Sequence, residues 1–178
     1  MASELDAIEP VPVAPGDHKG YLQYALSLAE KSPPKPSNYR VGAVLVNPTN
    51  NTVVSTGYTL ELPGNTHAEQ CCFMKLADQH EVAEDELGST INTPLVLYTT
   101  MEPCSTRLSG NLPCTQRILR LRSIIKTVYV GVQEPEKFVK DNTGRTALER
   151  AGIDFVHVKG LEGDILKVAT AGHVKAPA

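Results

Sequence analysis

Three short segments of this chain carry side chains able to hold a metal and move protons: His67-Ala68-Glu69, Pro103-Cys104 and Pro113-Cys114. Imidazole and thiolate are ligands that zinc prefers, and a catalytic zinc keeps three protein ligands and a fourth position for water. His67, Cys104 and Cys114 supply such a set. Glu69 lies two residues beyond His67, near enough to share the site without binding the metal. A carboxylate there accepts a proton from the attacking water and hands it to a leaving nitrogen. Singly these residues mean little. A lone histidine at a helix start is more often a cap or a surface group, and isolated cysteines are usually small core hydrophobes. Their combination points to metal-assisted hydrolysis. Cys71 and Cys72 read as core residues, with Cys71 the one easy fourth ligand for a closed structural site.

These residues must be positioned by regular elements. Tyr21, Leu22, Ala25, Leu28 and Ala29 share one helical face, so a first helix runs from His18 and stops before Pro33 and Pro34, leaving residues 31–38 as a proline-rich loop. Residues 41–46 and 52–58 are β-branched runs around Asn47-Pro48-Thr49-Asn50-Asn51, an antiparallel hairpin signal. Thr66 with Glu69 three residues on has the pattern of a capping box, which opens a helix reaching Gln79. The acidic and polar stretch 81–93 reads as an exposed connection. Strands follow at 94–100, 126–132 and 153–158, alternating with helices at 114–122, 144–151 and 162–170, and Gly152 suits the position just past a helix end. This order predicts an α/β fold, a three-layer α/β/α sandwich around a mixed five-stranded sheet. Cys104 and Cys114 flank a loop before a helix start, where partial positive charge favours thiolate.

Composition narrows the function classes. The chain has 178 residues, 41% of them hydrophobic, which suits one domain with a sizeable core. Residues 1–17, with Pro10, Pro12 and Pro15, read as a mobile leader, 18–171 as the catalytic domain and 172–178 as a tail. No run approaches the roughly 20 apolar residues of a membrane span, and the acidic start is unlike a signal peptide, so a cytoplasmic setting with reduced thiols is expected. The net charge of -3, without any Lys/Arg run, argues against a nucleic-acid partner and for a small-molecule substrate.

The same segments carry a family resemblance. H-x-E followed by P-C-x-x-C, with the glutamate as acid/base, is the zinc deaminase signature. This chain matches it at His67-Ala68-Glu69 and Pro103-Cys104 but separates Cys104 from Cys114 by nine residues instead of two. That gap resembles the pyrimidine deaminases of riboflavin biosynthesis, whose cysteines flank a long loop. Thr100-Met101-Glu102-Pro103-Cys104, Leu112-Pro113-Cys114, Asn38-Tyr39-Arg40-Val41-Gly42-Ala43, Gly57-Tyr58, Val128 to Pro135 and Asn142 to Ile153 resemble further segments of that group. GYTLELPGNTHAEQ is most similar to the fungal type. The resemblance implies a cytidine deaminase-like fold, bound Zn2+ and a homodimer. The implied reaction is hydrolytic deamination of 2,5-diamino-6-ribitylamino-4(3H)-pyrimidinone 5′-phosphate. It further implies a substrate contact at Asn38. Thr59, where that group often has His, and Ala68 are further candidate contacts, and Arg107, inside the cysteine loop but not at the offset of that group's basic residue, offers a charge-assisted fork to the phosphate. Two other readings stay open: a deaminase of cytidine, deoxycytidylate or another base, and a structural zinc module without activity.

Overall fold

The computed structural model describes residues 12–133 and 143–174. The hairpin forms where β-branched residues flank the turn: β1 (Gly42–Asn47) pairs antiparallel with β2 (Thr52–Tyr58), and Asn51 takes a positive φ of 54° at the bend. β1 also pairs antiparallel with β3 (Leu95–Met101), which runs parallel to β4 (Ile125–Val132), and β4 runs parallel to β5 (Asp154–His157). The result is one mixed five-stranded sheet in the order β2-β1-β3-β4-β5.

Alternation along the strands builds two separate cores. Ala43, Leu45, Leu95 and Leu97 face one way and pack with Phe73 and Leu76 of α2 (Ala68–Gln79), Ile118 of α4 (Cys114–Arg120) and Leu148 of α5 (Thr143–Arg150). Val44, Val46, Val96 and Tyr98 face the other way. They pack under Leu22, Ala25 and Leu28 of α1 (His18–Ala29) and Ile165 of α6 (Glu162–Ala169). Each fully buried Val, Leu, Ile or Phe side chain among these contributes roughly 1.5–3 kcal/mol relative to exposure. The helices α4 and α5, which join successive parallel strands, share a face as right-handed crossovers require. The expected three-layer sandwich is therefore present.

Three local expectations change. The α2 N-cap is His67, not Thr66; the Gln70 side chain reaches back to the His67 N–H at 3.4 Å, while the Thr66 hydroxyl donates to the Leu62 carbonyl. The overlapping T-x-x-E and H-x-x-Q patterns offer the same box one residue apart, and the later register leaves Glu69 clear of the cap. The stretch 81–93 is also more than a connection. It holds a 3₁₀ turn (Glu84–Glu86) and α3 (Leu87–Thr90), with Leu87 fully buried in the core and Glu84 ion-paired to Arg117 at 2.6 Å. Finally, the end of the expected leader is fastened. Val13 packs on the α1 core and its carbonyl accepts from Asn51, and the Asp17 carboxylate caps α1 through the Gly20 N–H. Residues 1–11 of the leader, 134–142 and 175–178 lie outside the described residues.

Candidate metal centre and active-site cavity

The site forms at one end of the central strands, where the end of β3, the entry to β1 and the first turns of α2 and α4 converge. Gly57 on β2 allows this. A Cβ there would strike the Ala68 carbonyl oxygen and the Cys72 amide, so only glycine lets the first turns of α2 lie this close to the strand. His67 is delivered as the cap of α2, in extended conformation. Pro113, held at φ -60°, caps α4 and delivers Cys114 as its first residue. The loop leaving β3 is pinned to that helix start: the Thr115 N–H donates to the Cys104 carbonyl at 3.0 Å and the Thr115 hydroxyl to the Pro103 carbonyl at 3.3 Å.

His67, Cys104 and Cys114 thereby place their ligand atoms within 4.8 Å of one another. The Cys104 and Cys114 sulfurs lie 3.5 Å and 3.6 Å from His67 Nδ1. Tetrahedral zinc with ordinary bond lengths sets sulfur and nitrogen ligands about 3.6 Å apart. The donor set and its spacing thus fit zinc without rearrangement. The Cys114 N–H donates to the Cys104 sulfur at 3.3 Å. A hydrogen bond from the Cys114 thiol holds Cys104 well below the ordinary thiol range, against desolvation, while the same bond and burial push Cys114 up. The two thiols titrate as a pair. Cys71 and Cys72 are fully buried and belong to no such group; the Cys71 thiol faces Thr66 and Leu62.

Glu69, the second residue of α2, is 3% exposed. Burial pushes its carboxyl above the usual carboxylate range, and the neighbouring Cys104 adds to this; His67, the Glu69 backbone N–H and Thr99 oppose it. The Thr99 hydroxyl lies 3.0 Å from Glu69 Oε1.

Beside the ligands opens a cavity of 340 Å³, lined by Asn38, Thr59, Glu69, Cys104 and Arg107 among others. That volume suits a small aromatic ring with a polar substituent. Asn38 donates through Nδ2 to the Asn65 side chain at 3.0 Å, and its carbonyl accepts from His173 Nε2 at 3.0 Å. Arg107 donates to Gln70 Oε1 at 3.0 Å and to the Asn65 carbonyl. These acceptors are neutral, so the guanidinium charge stays available at the rim. The Thr59 hydroxyl accepts from the Val41 N–H at 3.0 Å and joins the loop after β2 to the entry of β1. Ala68 is fully buried at the head of α2 and its side chain does not line the cavity, but its N–H is among those a helix start leaves without an intrahelical acceptor. Sequence reasoning missed Thr99, Asn65, Gln70 and His173 as neighbours of the site.

Comparisons with known proteins agree with this geometry. The family described as "Cytidine and deoxycytidylate deaminase zinc-binding region" matches residues 15–132. A diaminohydroxyphosphoribosylamino-pyrimidine deaminase of Schizosaccharomyces pombe is 40% identical over 159 residues, 89% of this chain but 36% of that protein. The chain thus spans about a third of that curated relative. The crystal structure of Aspergillus oryzae Rib2 deaminase, a C-terminal deletion mutant, is 50% identical with a TM-score of 0.79, covering 88% of this chain and 92% of that one. The same deaminase in complex with DARIPP gives 50% and 0.78, covering 88% and 91%. Acinetobacter baumannii RibD, 22% identical with a TM-score of 0.64 over 87% of this chain and 38% of that one, shares the fold. The chain belongs to the cytidine and deoxycytidylate deaminase family, in the branch of the fungal Rib2 deaminases.

Proposed function

We propose that this protein is a zinc-dependent pyrimidine deaminase of riboflavin biosynthesis, converting 2,5-diamino-6-ribitylamino-4(3H)-pyrimidinone 5′-phosphate and water to 5-amino-6-ribitylaminouracil 5′-phosphate and ammonia. The observation that carries the reading is the His67-Cys104-Cys114 cluster with the buried Glu69 carboxyl beside it in one cavity. The 50% identity to a Rib2 deaminase studied with DARIPP supports the substrate class.

His67, Cys104 and Cys114 hold the metal. Zinc there supplies a Lewis acid that lowers the pKa of a bound water from about 15.7 toward about 7. Glu69 takes the proton of the attacking water and passes one to the ring nitrogen beside the carbon that bears the amine. Attack at that carbon gives a tetrahedral centre; Glu69 then takes the proton of its new hydroxyl and hands it to the amine, which leaves as ammonia as the ring carbonyl forms. Because the carboxyl is buried, its protonated form is not costly, as a group that must hold a proton and release it within each turnover requires. Asn38 and the Ala68 N–H orient the ring, Thr59 fixes the cavity wall, and Arg107 takes the phosphate through a charge-assisted fork.

The enzyme is proposed to work as a homodimer in the cytoplasm, as superfamily members commonly self-associate. Among the described residues no helix is long and apolar enough to cross a membrane. A structural zinc module finds little support, since the described ligand group has three members and Cys71 is turned away from it.

The test is to incubate zinc-loaded protein with the diaminopyrimidinone phosphate, cytidine and deoxycytidylate and to follow ammonia. Release from the first alone is expected. Turnover of the cytidine compounds alone reassigns the substrate, and no turnover of any revives the structural reading.

A further inference from the structure

Thr99 stands where the pattern of its strand calls for hydrocarbon. Leu95, Leu97 and Thr99 point to one face of β3, and the two leucines are core residues on the α2 side. Thr99 is 0% exposed. A hydroxyl sealed into an apolar row needs hydrogen-bond partners to be tolerated there. It has two: Glu69 Oε1 at 3.0 Å and the Met101 carbonyl at 3.0 Å.

Both partners are acceptors, yet a hydroxyl has one hydrogen. Donated to Glu69, it occupies Oε1, which leaves Oε2 as the carboxyl oxygen that carries the transferred proton. A carboxyl oxygen accepts from a hydroxyl whether or not the other oxygen is protonated, so this contact persists through each transfer. Among the described residues the Glu69 carboxyl also meets its own backbone N–H and the Cys114 thiol.

We propose that Thr99 is the positioning residue of the proton shuttle: its hydroxyl, held between Glu69 Oε1 and the Met101 carbonyl, keeps the Glu69 carboxyl in one place through the proton transfers of each turnover. The inference rests on Glu69 being the shuttle. Thr99 is not among the residues lining the cavity, so it acts on the rate of proton transfer and leaves substrate binding and metal binding alone.

The test uses the full zinc-loaded chain with the diaminopyrimidinone phosphate, comparing Thr99→Val, Thr99→Ser and Glu69→Gln. Valine keeps the β-branched shape without the hydroxyl, and serine keeps the hydroxyl without the methyl. Thr99→Val is expected to lower kcat about tenfold to a hundredfold. KM should stay within about threefold, with one zinc per chain and a Glu69 carboxyl displaced in the crystal structure of the variant. Thr99→Ser should recover kcat to within about threefold of the parent. A Thr99→Val kcat within threefold, equal losses in valine and serine, or loss of zinc along with kcat overturns the inference. If Thr99→Val does not fold, Thr99→Ala replaces it against serine: at least a tenfold advantage for serine supports the hydroxyl, and equality removes it. Glu69→Gln separates the two levels. Its retention of turnover sinks the shuttle itself, whereas an inactive Glu69→Gln beside an unimpaired Thr99→Val sinks only the role of Thr99.

Discussion

Gln70 ties Arg107 to the first turn of α2: its side-chain oxygen accepts from the guanidinium at 3.0 Å and from the His67 N–H at 3.4 Å. One amide thus joins a cation of the cysteine loop to the backbone of the histidine that faces the metal centre. The loop between Cys104 and Cys114 is fixed at both ends by those cysteines, and the Gln70 contact steadies Arg107 between them.

Arg107 is expected to read the phosphate. A charge-assisted hydrogen bond contributes about 1.5–3 kcal/mol, which corresponds to roughly a tenfold to hundredfold change in affinity. Arg107→Ala should therefore raise KM by that factor for the phosphorylated substrate and leave the dephosphorylated one nearly unchanged. Steady-state kinetics on the two compounds check it. Equal losses on both would show that Arg107 only shapes the loop through Gln70 and Asn65.

Glu69→Gln keeps the shape of the side chain and removes its capacity to take a proton. A group serving several proton transfers should cost kcat at the upper end of the 10²–10⁴-fold range of general acid–base catalysis, or about 10⁴-fold. Zinc content should stay at one per chain, because Glu69 is not among the three ligand residues. Metal analysis beside single-turnover kinetics decides this, and activity within tenfold of the parent excludes the role.

The His67-Cys104-Cys114 group was legible in the sequence because imidazole and thiols in short motifs have few other uses in combination, and the layers were legible because alternation and helical spacing are local. What escaped depends on partners distant in the chain. Thr99 looked like one β-branched residue among several in a strand, and only its row with Leu95 and Leu97 beneath α2 marks it as a buried polar exception. Gln70 was hidden by the competing box at Thr66 and Glu69, since pattern alone does not say which register frees the carboxylate. Leu87, a single leucine in an acidic stretch, gave no periodicity, and Val13 lay in a composition typical of mobile chain. The strand order β2-β1-β3-β4-β5 likewise follows from long-range pairing, which no local signal encodes.

Gly57 is the position where the fold and the metal centre meet most closely. Gly57→Ala forces a methyl against the Ala68 carbonyl and the Cys72 amide, both backbone groups that cannot rotate aside. Overpacking of this kind costs about 1–3 kcal/mol. For a domain of this size that lowers Tm by roughly 2–4 °C for each kcal/mol. Displacement of α2 carries His67 with it, so zinc affinity should fall in parallel. Thermal melts with and without added zinc measure both. An unchanged Tm with full zinc content would mean the strand and helix part without consequence.

Metal removal separates the three ligands from the other two cysteines. Chelation of zinc should abolish turnover and lower Tm, since a ligand bound by the folded chain alone stabilises it by mass action. Added zinc should restore both, and magnesium, which favours oxygen ligands, should restore neither. Cys114→Ala removes a fully buried ligand and should leave the protein without stoichiometric zinc. Cys71→Ala should keep one zinc per chain, because the Cys71 thiol faces Thr66 and Leu62 and stands outside the ligand group. It removes only a buried sulfur, so its cost should appear in Tm. Loss of zinc from Cys71→Ala would instead identify a fourth protein ligand and close the position that the attacking water needs.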